Sequence, residues 1–270
     1  MIDRRKIPAG RLRVAAPGSR DRSPVAGRPQ AASRRARRGA RGGLLVLGSL
    51  LAVVSGGLAA PAAAQSHPPA FPRPGATKIL ENQRVIVWDV VWRRDQPTPM
   101  HEHRHPAMTI VLAPGRRRVR LPDNRTAVGG ELAVGTYAWT ERGAVHADQG
   151  LSDPPLRAVV IEIKDRRVRH PAPPPGTARA FSAPGSRKLF ENRDVVLWDV
   201  AVAPSVPLHY HDRDLVAVVM GEGRVRSIAA DGSVQDADWT FGAVRWAPGG
   251  RTHREEVLAG APRAMILELK

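Results

Sequence analysis

Between residues 75 and 270 the chain alternates short apolar runs with Pro- and Gly-rich breaks. The strongest runs are 85–92, VIVWDVVW, and 195–202, VVLWDVAV, both rich in β-branched and aromatic residues. Others fall at 109–112, 117–121, 136–139 and 157–163, and then at 216–220, 224–227, 243–246 and 264–269. Between them stand Pro114-Gly115, Gly129-Gly130, Gly221-Glu222-Gly223, Asp231-Gly232 and Pro248-Gly249-Gly250, residues that favour turns. Short strands at regular spacing with turn signals between them predict an all-β sandwich or barrel. No run shows the 3.6-residue apolar period of a long amphipathic helix.

The pattern occurs twice. Residues 75–90, GATKILENQRVIVWDV, and 185–200, GSRKLFENRDVVLWDV, agree at eight of sixteen positions at an offset of 110. Downstream each copy carries a His-x-His, His101-Glu102-His103 and His209-Tyr210-His211, then one further histidine, His146 or His253. The copies end alike, LRAVVIEIK at 156–164 and PRAMILELK at 262–270. A fixed self-similarity of this kind sets the domain plan: one domain over 75–164 and another over 185–270. A Pro-rich lead-in at 65–74 and a Pro-rich linker at 165–184 read as segments with little regular structure. Each domain is small enough to bury only a modest part of its own surface, so the two gain by packing together.

Several paired residues carry structural expectations. Trp88 and Trp198 should pack on the inner face of their strands, and Asp89 and Asp199 should form outward salt bridges. Glu162 and Glu268, next to Lys164 and Lys270, read as outward charge pairs. Glu81-Asn82 and Glu191-Asn192 suit a turn before the strand.

In a strand, residues i and i+2 point to one face, so each His-x-His aims two imidazoles at the same side. A third histidine from another strand would complete a facial set if both line one barrel interior. Three protein ligands leave coordination positions open for water or substrate. Cysteine is absent, so any metal here takes N or O ligands. The alternative is that each histidine is a satisfied core or rim residue. The pair spacing is strand-like and does not fit the i,i+4 helical histidines of zincins.

These residues resemble the cupin superfamily. The second cupin motif, G-x5-P-x-G-x2-H, is complete at Gly242, Pro248, Gly250 and His253; the first copy has Gly135, Gly143 and His146, with Glu141 in the proline's place. The first motif is partly met: its last glycine falls on Gly115 and Gly223, while its glutamate position holds Met108 or Val216, or Ala107 or Leu215 in the shorter register. The resemblance implies an all-β protein of two tandem cupin barrels (double-stranded β-helix, jelly roll), a bicupin. It implies metal ligation by His101, His103 and His146, and by His209, His211 and His253. The metal would be a divalent ion such as Fe, Mn, Zn or Ni, without the family's glutamate ligand. His105, or Asp214 in the second half, could substitute for it. Three neutral imidazoles leave the ion its full charge, which favours an anionic ligand in the open positions.

The formal charge is +17, but residues 1–65 hold 13 basic and 2 acidic residues, and the remainder 29 and 23. The surplus therefore sits mainly in the leader, and a nucleic-acid partner is not expected. Arg34-Arg35-Ala36-Arg37-Arg38 and Arg41 precede an uncharged run, 42–64, ending in Ala62-Ala63-Ala64. That order describes a signal peptide cleaved after Ala64, giving a periplasmic or secreted protein; uncleaved, it would anchor the chain to a membrane. The long basic flank suggests a start at Val14 or Val25. The expected function is metal-dependent chemistry on a small polar or anionic molecule, of oxygenase, decarboxylase or isomerase type, with a homo-oligomer allowed. The alternative is a non-catalytic small-ligand-binding or sensing module. The fold alone does not choose between them. No catalytic residue is assigned; Tyr210 and Glu141 are candidates only by their nearness to the motifs.

Overall fold

The computed structural model describes residues 13–15, 66–182 and 184–270. The expected leader at 1–64 and its cleavage point lie outside the described residues, save for the backbone of 13–15. The described chain is all-β, as the strand pattern predicts, with no helix among the described residues.

The first half contains β1 (Arg13–Ala15), β2 (Ala76–Glu81), β3 (Val85–Trp92), β4 (His101–Glu102), β5 (Ala107–Ala113), β6 (Arg117–Arg120), β7 (Thr126–Val128), β8 (Tyr137–Thr140), β9 (Val145–Gly150) and β10 (Leu156–Ile163). They form a six-stranded sheet in the order β1-β8-β5-β10-β3-β2 and a four-stranded sheet in the order β4-β9-β6-β7. The second half contains β11 (Ala178–Arg179), β12 (Ser186–Glu191), β13 (Val195–Ala201), β14 (Ser205–His211), β15 (Leu215–Ala229), β16 (Val234–Trp239), β17 (Val244–Ala247) and β18 (Arg251–Leu269). Here β15 and β18 pair antiparallel along most of their length, and the eight strands join in one curled sheet.

The continuity of β15 departs from the turn expected at Gly221-Glu222-Gly223. The glycines serve a close approach instead. A Cβ on Gly221 would lie 2.7 Å from the Ala261 carbonyl oxygen, and one on Gly223 would lie 2.6 Å from that of Ala259. Register shifts fall at both residues, so the strand bends past β18 without ending.

Why 85–92 is almost wholly apolar follows from where its two faces go. Val85 and Val87 join a core built from both halves, with Met108, Ile110, Val159 and Ile161 meeting Val195, Leu197, Val216 and Leu267. Trp88, Val90 and Trp92 point the other way, into the interior of the first half. A strand buried on both faces reads as a continuous apolar run. The halves are also tied by polar contacts: Tyr137 donates its hydroxyl to the Leu189 carbonyl at 2.8 Å, and Arg84 Nε stands 3.6 Å from Asp214.

Double burial also corrects the expected outward charge pairs. Glu162 follows Ala158 and Val160 on the interior face of β10, and Glu268 follows Ala264 and Ile266 on that of β18; both are buried. Each accepts a hydrogen bond from an indole, Trp88 Nε1 to Glu162 at 2.8 Å and Trp198 Nε1 to Glu268 at 2.7 Å. Lys164 and Lys270 turn instead to Glu81 and Glu191. The other expectations hold: Asp89 bonds Arg157, Asp199 bonds Arg263, and the Asn82 and Asn192 side chains accept backbone N–H bonds in the turns before β3 and β13.

Candidate metal centres

Two clusters of three histidines lie inside the two halves. His101 on β4 pairs in register with His146 on β9, and His103 follows two residues on. In the second half His209 on β14 pairs with His253 on β18, and His211 stands two residues beyond His209. In each set the ligand nitrogens lie within 4.8 Å of one another, and all six residues are buried. The structure thus brings together every histidine that the sequence repeat singles out.

The second set is the more closely gathered. His211 Nε2 lies 3.1 Å from His209 Nε2 and 3.1 Å from His253 Nε2. Adjacent nitrogens bound to one ion at about 2.1 Å would sit about 3.0–3.4 Å apart, so this spacing fits a shared divalent cation. His209 Nδ1 is 2.9 Å from the Pro207 carbonyl, which only accepts, so Nδ1 carries the proton and Nε2 offers a lone pair. His101 repeats the arrangement with Pro99 at 2.9 Å. Ser227 Oγ lies 2.7 Å from His253 Nδ1.

Electrostatics favour neutral, ligating rings. Burial, followed by the neighbouring imidazoles, lowers His101 to about 4 and His103 to about 3. The same causes bring His211 to about 2. Burial, then His209 and Arg251, bring His253 to about 3. A donor set of three neutral imidazoles suits a first-row divalent metal.

An aromatic wall backs each set, and it comes from segments that the sequence pattern assigns to a lead-in and a linker. Phe71 stacks on Trp88 at 5.0 Å and meets His103 edge-on; Phe181 stacks on Trp198 at 5.3 Å and meets His211 edge-on. The signal for these residues is in the repeat: Ala-Phe-x-x-Pro-Gly stands at 70–75 and again at 180–185.

A carboxylate two residues past the last histidine, Asp148 or Glu255, is a second feature that the motif reading passes over. The two share the offset of 107 that relates His146 to His253. Asp148 Oδ2 is 3.4 Å from His146 Nε2, and its carboxylate also faces Arg117 at 3.4 Å and Arg73 at 4.0 Å. Burial alone would raise its pKa, but Arg117, His146 and Arg73 hold it well below the usual range. Burial raises the Glu255 carboxyl, opposed by His209 and Arg251.

Neither expected substitute for the missing glutamate joins a set. His105 is half-buried outside the first cluster. Asp214 turns to His170 at 2.8 Å, to the Gly249 N–H at 2.9 Å and to Arg84. Tyr210 alternates with His209 and His211, so its ring leaves the site, and its hydroxyl donates to the Pro171 carbonyl. Glu141 is exposed.

The two interiors differ in what fills them. In the first half, Arg73 and Arg117 lie over the Trp92 ring at 5.5 and 5.3 Å, and Asp148 joins the two cations. A hollow of about 20 Å³ lies beside Trp92 and Arg117. At the repeat positions of Trp92 and Arg117 the second half has Val202 and Val225. There a cavity of about 270 Å³ opens onto His209, His211 and His253.

No family model matches the sequence, and no curated protein matches it. Among solved structures the chain is similar to Bacillus subtilis oxalate decarboxylase. The structure reporting its Mn(II) centres matches at 12% identity and TM-score 0.49, over 70% of this chain and 69% of that one. Its structure at pH 4.6 matches at 12% identity and TM-score 0.49, over 70% and 68%.

Proposed function

We propose that this is an exported bicupin that binds a divalent metal through His209, His211 and His253 in the second barrel, and through His101, His103 and His146 in the first. Its second barrel acts on a small polar or anionic molecule. The observation that carries the reading is the convergence of three buried Nε2 atoms at ligand spacing on the wall of an open cavity. A bound metal would supply Lewis-acid or redox chemistry at positions the protein leaves free.

The chain's own residues supply the rest. Pro207 fixes the His209 tautomer, and the Phe181–Trp198 stack holds the His211 ring. Glu255 brings a carboxylate to the cavity, placed to exchange a proton with whatever binds there. The first barrel reads as a structural site, since Trp92, Arg73 and Arg117 occupy the space a substrate would need.

The test is metal per chain in protein of residues 65–270 after reconstitution with Fe, Mn, Zn and Ni. Two equivalents are expected, and one in the His209→Ala/His211→Ala double variant. Protein that stays metal-free with all four ions overturns the proposal.

A further inference from the structure

We infer that the cavity of the second barrel takes a small monocarboxylate with an apolar, aromatic or branched body, its carboxylate held by Arg245 and Arg251 beside the histidine set. The inference rests on reading that barrel as the ligand chamber.

Its walls divide by chemistry. Phe181, Val202, Val206 and Trp239 give an apolar lining, with Phe181 edge-on to His211. Arg251 lines the cavity beside His253, with Nη2 3.4 Å from Nδ1, the ring nitrogen opposite the one that faces His211. Arg245 donates one Nη2 to the Asp238 carbonyl, while its Nε is buried without a partner. A buried donor left unpaired carries a cost that an incoming acceptor removes. Three guanidinium groups line the cavity, but Arg179 is exposed and paired with Asp212 at 3.3 Å, which leaves Arg245 and Arg251 against Glu255, the one carboxylate among the lining residues. The formal charge of the lining therefore favours a single added negative charge.

Other ligand classes fit less well. A sugar needs a polar partner for most of its hydroxyls, and beyond the charged groups and the histidines the lining's hydroxyl and amide side chains are Ser182, Ser186, Ser227 and Gln235. A bare dicarboxylate would set its second charge against apolar walls and near Glu255, and would leave the aromatic lining unused. An apolar body covers Phe181 and Trp239 and gains from that burial.

Calorimetric titration of residues 65–270, apo and metal-loaded, with benzoate, benzamide, oxalate and glucose tests this. Benzoate should bind at least tenfold more tightly than the other three, and Arg245→Met should weaken benzoate at least tenfold while leaving benzamide unchanged. Oxalate or glucose binding as tightly as benzoate overturns the inference, and so does benzamide matching benzoate. The benzoate–benzamide comparison needs no variant, so it stands even if Arg245→Met fails to fold. Metal content measured on the same samples separates the two readings. Metal-loaded protein that ignores benzoate sinks the ligand class alone; apo protein that takes no metal but prefers benzoate sinks the metal reading alone.

Discussion

Trp198 donates its indole N–H to Glu268 over 2.7 Å within the second barrel, and its ring carries Phe181, which in turn abuts His211. Trp88, Glu162, Phe71 and His103 repeat the chain of contacts in the first barrel. A carboxylate remote from the histidines thus orients the aromatic stack that positions the middle ring of each set.

Replacing Glu268 separates its two roles. Burial raises its pKa above the ordinary 4.5, so ionising it costs more in the folded chain than in the unfolded one. Stability is then greatest below about pH 4.5 and falls as pH rises through the folded value. Glu268→Gln keeps an acceptor for the indole and removes that ionisation. It should be more stable than the parent at pH 7, with the gain vanishing below pH 4.5. Glu268→Leu leaves the buried Nε1 unpaired and should cost about 1–3 kcal/mol. Urea unfolding at the two pH values checks both; a parent more stable than Glu268→Gln at pH 7 would falsify the first.

The histidines give the opposite pH dependence. His101, His103, His211 and His253 all have folded values between about 4 and about 2, against 6.5 when unfolded. As pH falls below 6.5 the unfolded chain takes up protons that the folded sets refuse, so the metal-free protein should lose stability steadily from there. Thermal melts of apo protein between pH 7.5 and 5 should show a falling Tm. The His209→Ala/His211→Ala variant should show a shallower fall, because it lacks one of the strongly shifted rings. Equal slopes would mean that the rings are not held neutral by the fold.

How far the chain could be read without coordinates depends on what each residue faces. Period-two patterning and turn residues locate most strands, and the repeated histidines locate both sets, because those signals are local. Glu162 and Glu268 read as outward if an alternating strand has one wet face, whereas β10 and β18 are covered on one side by the other half and on the other by the barrel interior. Phe71 and Phe181 were hidden among prolines, where composition argues for a linker although each ring is packed. The filling of the first barrel could not be read from any single residue. It needs Trp92, Arg73, Arg117 and Asp148 together, and these are far apart in sequence.

Arg84 and Asp214 join the halves through side chains that are nearly buried, 6% and 4% exposed. Removing the cation leaves Asp214 with His170 and the Gly249 N–H only. Arg84→Met should destabilise the chain by about 3–5 kcal/mol, the usual cost of stranding one member of a buried pair. Arg84→Met/Asp214→Leu should recover most of that. Guanidinium unfolding of the two variants decides the matter, and a single variant within 0.5 kcal/mol of the parent, roughly the scatter for unconnected surface changes, would show the contact to be dispensable.

Asp148 holds the first barrel's interior closed by neutralising two guanidinium groups that also lie over Trp92. Its folded pKa lies well below the usual 3.8, so it contributes stability above that value and loses it as pH falls further. Asp148→Asn removes the charge and leaves Arg73 and Arg117 facing one another across buried space. It should cost about 3–5 kcal/mol at pH 7, and the difference from the parent should shrink as pH falls below 3.8 toward the lowered folded value. The second barrel shares none of these partners, so its metal should be retained. Metal analysis of Asp148→Asn combined with His101→Ala/His103→Ala should therefore still find one ion per chain. Finding none would show that the closed interior of the first half supports the open one in the second.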